Sequence, residues 1–199
     1  MLPERDEQQE LRDHFDRAAT RLRLHVQLLV VLVGAAWMIE AVDVLFLRQA
    51  LNNFGIRPRE TASLAGIFLM PLLHGGFGHL IANTLPFIVL GWLVMLRRVG
   101  EFAAVTVITL LFSGVGLWLF GISGAVYIGA SGLVFGYLGY LLLRAYFERS
   151  AQAIFIAVIV AFAYGGLLLG LFPQRPGVSW EAHLLGFFGG ILAARLLAT

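Results

Sequence analysis

The last apolar stretch of the chain combines a membrane-spanning composition with a histidine. Residues 182–198 read AHLLGFFGGILAARLLA, and about 17 apolar residues are enough for a helix to cross a bilayer. On a helix, His183, Gly186 and Gly190 lie on one face because they are three and four residues apart. Small residues at this spacing let two membrane helices approach closely. The stretch therefore predicts a membrane helix whose packing face begins at His183.

The rest of the chain has the same apolar character. Hydrophobic residues make up 59% of it and charged residues only 13%, whereas about a quarter of a soluble domain is charged, and the mean hydropathy is +0.85. The sequence thus predicts an all-α membrane protein, a bundle of six transmembrane helices. The predicted spans are Val26–Phe46, Leu80–Leu96, Phe102–Phe120, Ser131–Phe147, Ala153–Phe172 and Ala182–Ala198.

Two segments fall outside these spans. Residues 1–24 are polar and predict a cytoplasmic segment with an amphipathic helix over Glu10–Arg23 and no cleavable signal peptide, leaving 25–199 as the six-span domain. The apolar run Ala62–Leu73 is too short to span a membrane. It predicts a partly embedded loop or an interfacial helix within the long connection between the first and second spans.

Charge and cysteine content exclude several functions. The chain has no cysteine, so disulfides and thiolate chemistry are excluded. All 14 basic residues are arginine, and they are spread along the chain rather than clustered, which argues against nucleic-acid binding. Arginines concentrate on the cytoplasmic side of membrane proteins, so their placement predicts that both termini are cytoplasmic. The arginines left on the other side are Arg48, Arg57, Arg59 and Arg175.

Three polar clusters lie near the starts of the second, fourth and sixth spans, and therefore on one side of the membrane. They are residues 74–83, which include His74, His79 and Asn83, residues 129–132, which include Gly129 and Ser131, and residues 181–190. Polar groups in a membrane are costly and mark functional sites. Gly132 and Gly136 give the fourth span a small-residue face that can pack on Gly186 and Gly190. Such packing would place Ser131 beside His183.

These residue types suit acyl transfer. A serine hydroxyl becomes a nucleophile when a neighbouring histidine takes its proton, so Ser131 and His183 are the candidate nucleophile and base. Backbone N–H groups at a helix start, the Asn83 amide and the His79 ring can stabilise an oxyanion. His74 is expected to support them through a hydrogen bond. The alternatives are a helix-start cap for Ser131, a carbonyl-bonded membrane histidine for His183, and interhelical hydrogen bonds for Asn83 and His79.

At this point the sequence resembles the rhomboid intramembrane proteases. The resemblance rests on Gly129-x-Ser131-Gly132, His79-x-x-x-Asn83 and His183-x-x-Gly186-x-x-x-Gly190, in this order. It implies a Ser131–His183 dyad, an oxyanion hole formed by the Ser131 N–H, His79 and Asn83, and cleavage of transmembrane proteins near the outer membrane surface. It also implies that the fifth span and the Phe172–Trp180 loop gate and cap the site.

The sequence departs from the family's pattern in two places. Phe135 stands where many members have tyrosine, so its ring can stack on His183 but has no hydroxyl, and the first loop lacks the Trp-Arg pair of some bacterial members. Both departures bear on substrate preference and loop rigidity rather than on bond-making groups. The short termini favour a bacterial inner membrane as the location.

The alternative functions are a pseudoprotease and a transporter or channel. A rhomboid-like pseudoprotease would bind membrane proteins without cutting them, and would not need Ser131, His183 and Asn83 together. A transporter or channel would carry acids at mid-membrane; Glu40 and Asp43 are expected instead to face water at the end of the first span or to pair with a loop arginine. No cofactor is expected, and the spacing of the histidines argues against a metal site. Glu181 is two residues from His183, so it would point away from a triad.

Overall fold

Six long helices build the part of the chain that the structure describes. A computed structural model describes residues 3–173 and 179–198, and we number these helices α1 to α6. Their bounds are Pro3–Val42 (α1), Phe77–Met95 (α2), Val99–Phe120 (α3), Ser131–Glu148 (α4), Ala151–Tyr164 (α5) and Trp180–Leu197 (α6). A π-helical turn, Asp43–Leu47, closes α1, and a 3-10 segment, Gly165–Leu171, continues α5. Every predicted span therefore corresponds to a helix.

Length and composition qualify four of these helical stretches to cross a membrane. They are Gln8–Leu47, Phe77–Met95, Val99–Phe120 and Ala151–Leu171. The two others, α4 and α6, are each 18 residues long, and their charged residues, Arg144 and Glu148 in α4 and Glu181 and Arg195 in α6, lower their hydropathy. The chain is a multi-pass membrane protein of helical architecture.

The glycine faces predicted for α4 and α6 meet at the centre of the bundle. A Cβ atom added to Gly186 would overlap the carbonyl oxygen of Gly132, and one added to Gly190 would overlap that of Gly136. Only glycine lets two backbones come this close. This packing sets the start of α6 against the start of α4, where His183 and Ser131 lie.

The N-terminal segment is helical, as predicted, but it is not a separate helix. The predicted amphipathic helix Glu10–Arg23 lies within α1, which runs unbroken from Pro3 to Val42. Leu11, Phe15 and Leu22 on this part of α1 are exposed. The division at residue 24 therefore falls inside a continuous helix.

The first loop is folded into short helices rather than extended. These are Ala50–Phe54, Thr61–Ser63, Gly66–Leu69 and Met70–Leu72, and the last three cover the run predicted from Ala62 to Leu73. Its backbone pairs with the segment that leads to α4, because Ile56 and Tyr127 exchange two hydrogen bonds of 3.0 and 2.9 Å. The loop is thereby anchored directly beside the start of α4.

Two side chains give the first loop further anchors. Arg59 donates to the carbonyl oxygens of Leu119 (3.1 Å) and Gly121 (3.0 Å) at the end of α3. The Trp118 indole donates to the Glu60 carbonyl at 3.0 Å. Arg59 of the loop and Trp118 of α3 thus hold this loop, although the loop itself contains no Trp-Arg pair.

The prediction for Glu40 and Asp43 was wrong. Both side chains are only 1% exposed, and the ion pairs found among the described residues do not include them. The Asp43 carboxylate accepts a hydrogen bond from the Leu51 N–H at 2.9 Å, whereas neither Glu40 oxygen has a hydrogen-bond partner among the described residues. After α1 the chain turns through left-handed residues Arg48 and Gln49, and the first loop comes back to contact Asp43 through the Leu51 N–H.

Candidate active site

The three predicted polar clusters converge on one open cavity. Its volume is about 560 Å³, and it lies where α2, α4 and α6 begin. Ser131, His183, Asn83, His79 and Phe135 all line it. The starts of alternate spans therefore share one side of the bundle, as predicted.

Ser131 is the first residue of α4, and the preceding glycine places it there. Gly129 adopts φ +109°, a backbone conformation that favours glycine, and its N–H donates to the Met70 carbonyl at 2.8 Å. A Cβ at this position would lie 2.6 Å from His79 Cε1. Gly129 therefore serves two purposes: it turns the chain into α4, and it lets the His79 ring approach the turn.

The polar groups of Ser131 are free for a substrate. Within residues 3–173 and 179–198 neither its hydroxyl nor its N–H makes a hydrogen bond. The nucleophile and base candidates are thus not hydrogen-bonded to each other in this conformation. Such bonds often tighten only when substrate is bound.

His183, in the first turn of α6, is held on two sides. Its Nδ1 lies 3.0 Å from the Gly170 carbonyl oxygen, and its ring stacks on Phe135, with centroids 4.1 Å apart and planes within 9°. A carbonyl oxygen can only accept, so Nδ1 carries the hydrogen. In the neutral ring Nε2 is then unprotonated and can accept a proton.

His79 and Asn83 occupy successive turns of α2. His79 Nδ1 accepts a hydrogen bond from the Gly75 N–H at 3.3 Å, which leaves the hydrogen of the neutral ring on Nε2. The Asn83 amide donates one hydrogen to the His79 carbonyl at 3.0 Å and has a second to donate. This bond lies within α2, and no interhelical hydrogen bond of the Asn83 side chain is found among the described residues. Both side chains have a donor to offer to the cavity.

His74 lies behind this cavity rather than in its wall. It is fully buried, and its Nε2 accepts a hydrogen bond from the Ala130 N–H at 3.4 Å. Burial, and next the charge of nearby His79, lower the pKa of His74 to about 4, so its ring is neutral at pH 7. His74 therefore supports the residue before Ser131, as expected of a hydrogen-bond partner.

The structure also places groups that the sequence argument did not include. Gly170 contacts the His183 ring through a backbone oxygen, which no side-chain motif could reveal. Glu181, set aside as a triad member, lines a different cavity with Trp180 and Phe120. Residues 174–178, in the middle of the predicted cap Phe172–Trp180, lie outside the described residues.

Comparison with known proteins gives a family. The family model of the Rhomboid domain matches residues 61–199. An uncharacterized protein of Mycobacterium tuberculosis is 41% identical over 178 residues, which cover 85% of this chain and 74% of the relative. An uncharacterized protein of Mycobacterium leprae is 42% identical over 188 residues, covering 89% and 74%.

A more distant relative carries the family's name. RHOMBOID-like protein 4 of Arabidopsis thaliana is 33% identical over 132 residues, covering 63% of this chain and 32% of the plant protein. The Rhomboid match extends over α2 to α6 and so includes α2, α4 and α6, the helices that line the cavity around Ser131 and His183. The chain therefore belongs to the rhomboid family.

Proposed function

We propose that this protein is an intramembrane serine endopeptidase with Ser131 as nucleophile and His183 as general base. The observation that carries the proposal is the single cavity lined by Ser131, His183, Asn83 and His79. Membership of the rhomboid family supports it, because the match covers every helix that lines this cavity. A serine and a histidine with a free Nε2 in one cavity are the groups that acyl transfer needs.

The proposed reaction transfers an acyl group twice. The Ser131 oxygen attacks the carbonyl carbon of the scissile peptide bond while His183 Nε2 takes the hydroxyl proton. The tetrahedral intermediate collapses, His183 returns the proton to the leaving amine, and an ester to Ser131 remains. Water then attacks the ester with His183 again as base, which releases a carboxylate product and restores the hydroxyl.

The developing oxyanion needs donors that are already in place. We assign this role to the Ser131 N–H, the His79 Nε2–H and the second Asn83 N–H. Gly129 supports the assignment, since it brings the His79 ring against the turn that precedes Ser131. Phe135 and His74 act indirectly, the first by stacking on His183 and the second by bonding to Ala130.

The substrates proposed are transmembrane proteins that enter from the lipid bilayer. In the proposed topology six helices cross a bacterial inner membrane and both termini are cytoplasmic. The starts of α2, α4 and α6 then face outward, and cleavage occurs near the outer surface. The arginine distribution supports this orientation.

Covalent labelling tests the proposal without knowledge of the substrate. A fluorophosphonate should react with the detergent-purified protein, since attack by the Ser131 oxygen on phosphorus expels fluoride. Peptide mass spectrometry should find the adduct on Ser131, and His183→Ala should not be labelled. A folded protein that is neither labelled nor able to cut several single-span substrates would contradict the proposal and favour a pseudoprotease that binds membrane proteins.

The oxyanion assignment predicts a kinetic effect for Asn83. Asn83→Ala should lower kcat about 10²–10³-fold, the usual cost of losing one oxyanion donor, and should change KM little. Cleavage of a fluorescent single-span substrate in proteoliposomes measures both constants. Asn53→Ala, which changes an exposed asparagine of the first loop, is the matched control. A native kcat for Asn83→Ala would mean that this amide stabilises α2 through its bond to the His79 carbonyl and does not bind the oxyanion.

A further inference from the structure

Among the described residues the catalytic histidine proposed above has no acidic partner, but it has a backbone one. The His183 Nδ1 lies 3.0 Å from the carbonyl oxygen of Gly170, whereas no ion pair among the described residues involves the ring. We propose that the Gly170 carbonyl positions His183 and holds it in the tautomer with a free Nε2. The inference rests on the proposed protease function and adds a positioning group to it.

Gly170 reaches His183 because it has no side chain. A Cβ at position 170 would lie 2.8 Å from Phe135 Cζ and 3.4 Å from His183 Nδ1. A methyl group there would press on the Phe135 ring and, through the stack, on His183. The close approach of backbone to imidazole therefore requires glycine at this position.

The tautomer matters because only one of the two neutral forms can act. With hydrogen on Nδ1, Nε2 is a base; with hydrogen on Nε2, the ring cannot take a proton at that atom. In serine proteases with a triad, an aspartate fixes this choice, and loss of the correct tautomer lowers kcat about 10⁴-fold. A carbonyl oxygen can fix the same choice of tautomer, since it also only accepts.

The Gly170 carbonyl belongs to a poorly buried part of the bundle. In α5 only Ala153, Ile156 and Val160 are buried, and the 3-10 segment Gly165–Leu171 has no buried residue. Elements with few buried contacts open at low cost in free energy. Displacement of this segment breaks the hydrogen bond to His183, so the ring is held in the Nδ1–H tautomer only while the segment is packed against it. The Gly170 carbonyl thus links the position of the 3-10 segment to the tautomer of the proposed base.

The test compares two glycines of the same 3-10 segment. Gly170→Ala adds a methyl group against the Phe135–His183 stack, whereas a Cβ at Gly166 would meet nothing within 4 Å. In protein labelled with ¹⁵N-histidine, the imidazole shifts report the tautomer, and His183→Gln identifies the His183 signals among the five histidines. The native protein and Gly166→Ala should show hydrogen on Nδ1. Gly170→Ala should show hydrogen on Nε2 and a kcat lowered at least tenfold, with KM within about threefold.

A second variant removes the steric element. Replacing Leu171 with its α-hydroxy analogue converts the 170–171 amide into an ester, which weakens the Gly170 carbonyl as an acceptor without adding atoms. It should shift the same signals and lower kcat even if Gly170→Ala does not fold.

The outcomes separate this inference from the proposed function. Hydrogen on Nε2 of His183 in the native protein overturns the inference, as does an ester variant with native shifts and native kcat. If the tautomer responds as expected but fluorophosphonate labelling and cleavage are absent from the native protein, the protease function fails while the Gly170–His183 tie stands.

Discussion

Ser131→Ala is expected to abolish proteolysis, lowering the cleavage rate at least about 10⁴-fold, because removal of the nucleophile from a serine protease has an effect of this order or larger. The variant should fold normally, since in the native chain the hydroxyl makes no hydrogen bond to any described residue. The measurement is gel-based cleavage of a single-span substrate by purified protein in proteoliposomes. Native protein and variant are compared at equal concentration.

Ser179 provides the matched control. It lines the same cavity, and its side chain does not cap α6, so Ser179→Ala removes a hydroxyl from the cavity without removing the proposed nucleophile. This variant should cleave at close to the native rate. If Ser131→Ala still cuts while Ser179→Ala is inactive, the nucleophile is misassigned; if both cut at the native rate, the activity is not that of a serine protease at this cavity.

The sequence predicted the helices well because each helix is determined by its own residues. An apolar window and its polar ends suffice to place α4, predicted as Ser131–Phe147 and found as Ser131–Glu148. The convergence of Ser131 and His183 could be predicted too, since glycines spaced along α4 and α6 specify which faces touch. The structure adds the reason, a backbone contact between Gly186 and Gly132.

Features that depend on loop folding could not be predicted. Glu40 and Asp43 occupy the end of a span, where water or a loop arginine is the usual partner of an acid. Both are buried, and after the left-handed residues Arg48 and Gln49 the first loop returns the Leu51 N–H to the Asp43 carboxylate. Nothing in the sequence near residue 40 records that reversal.

Backbone acceptors are equally invisible in a sequence. The partner of His183 is a carbonyl oxygen at position 170, and every residue has such an oxygen. The only trace is the glycine itself, one of 23 in the chain. Its role emerges only once the 3-10 segment is seen to pass within 3.0 Å of the imidazole.

The close contact between α4 and α6 makes Gly190 the position least tolerant of a larger residue. For Gly190→Ala we expect a loss of about 3 kcal/mol or more in unfolding free energy, at the upper end for overpacked cores. The added Cβ would overlap the Gly136 carbonyl oxygen, which belongs to a helix backbone and cannot rotate away. The two helices must therefore separate, and Ser131 moves away from His183. Unfolding by SDS in mixed micelles measures the loss, and fluorophosphonate labelling should fall with it.

Gly34, within α1, is the control for helix propensity. A Cβ there would meet nothing within 4 Å, so Gly34→Ala should leave stability unchanged or raise it by up to about 1 kcal/mol, the gain of alanine over glycine in a helix. The same gain at position 190 is outweighed by the overlap with Gly136. Equal stability of the two variants would show that α4 and α6 are not in backbone contact, and glycine packing would then not be what brings Ser131 near His183.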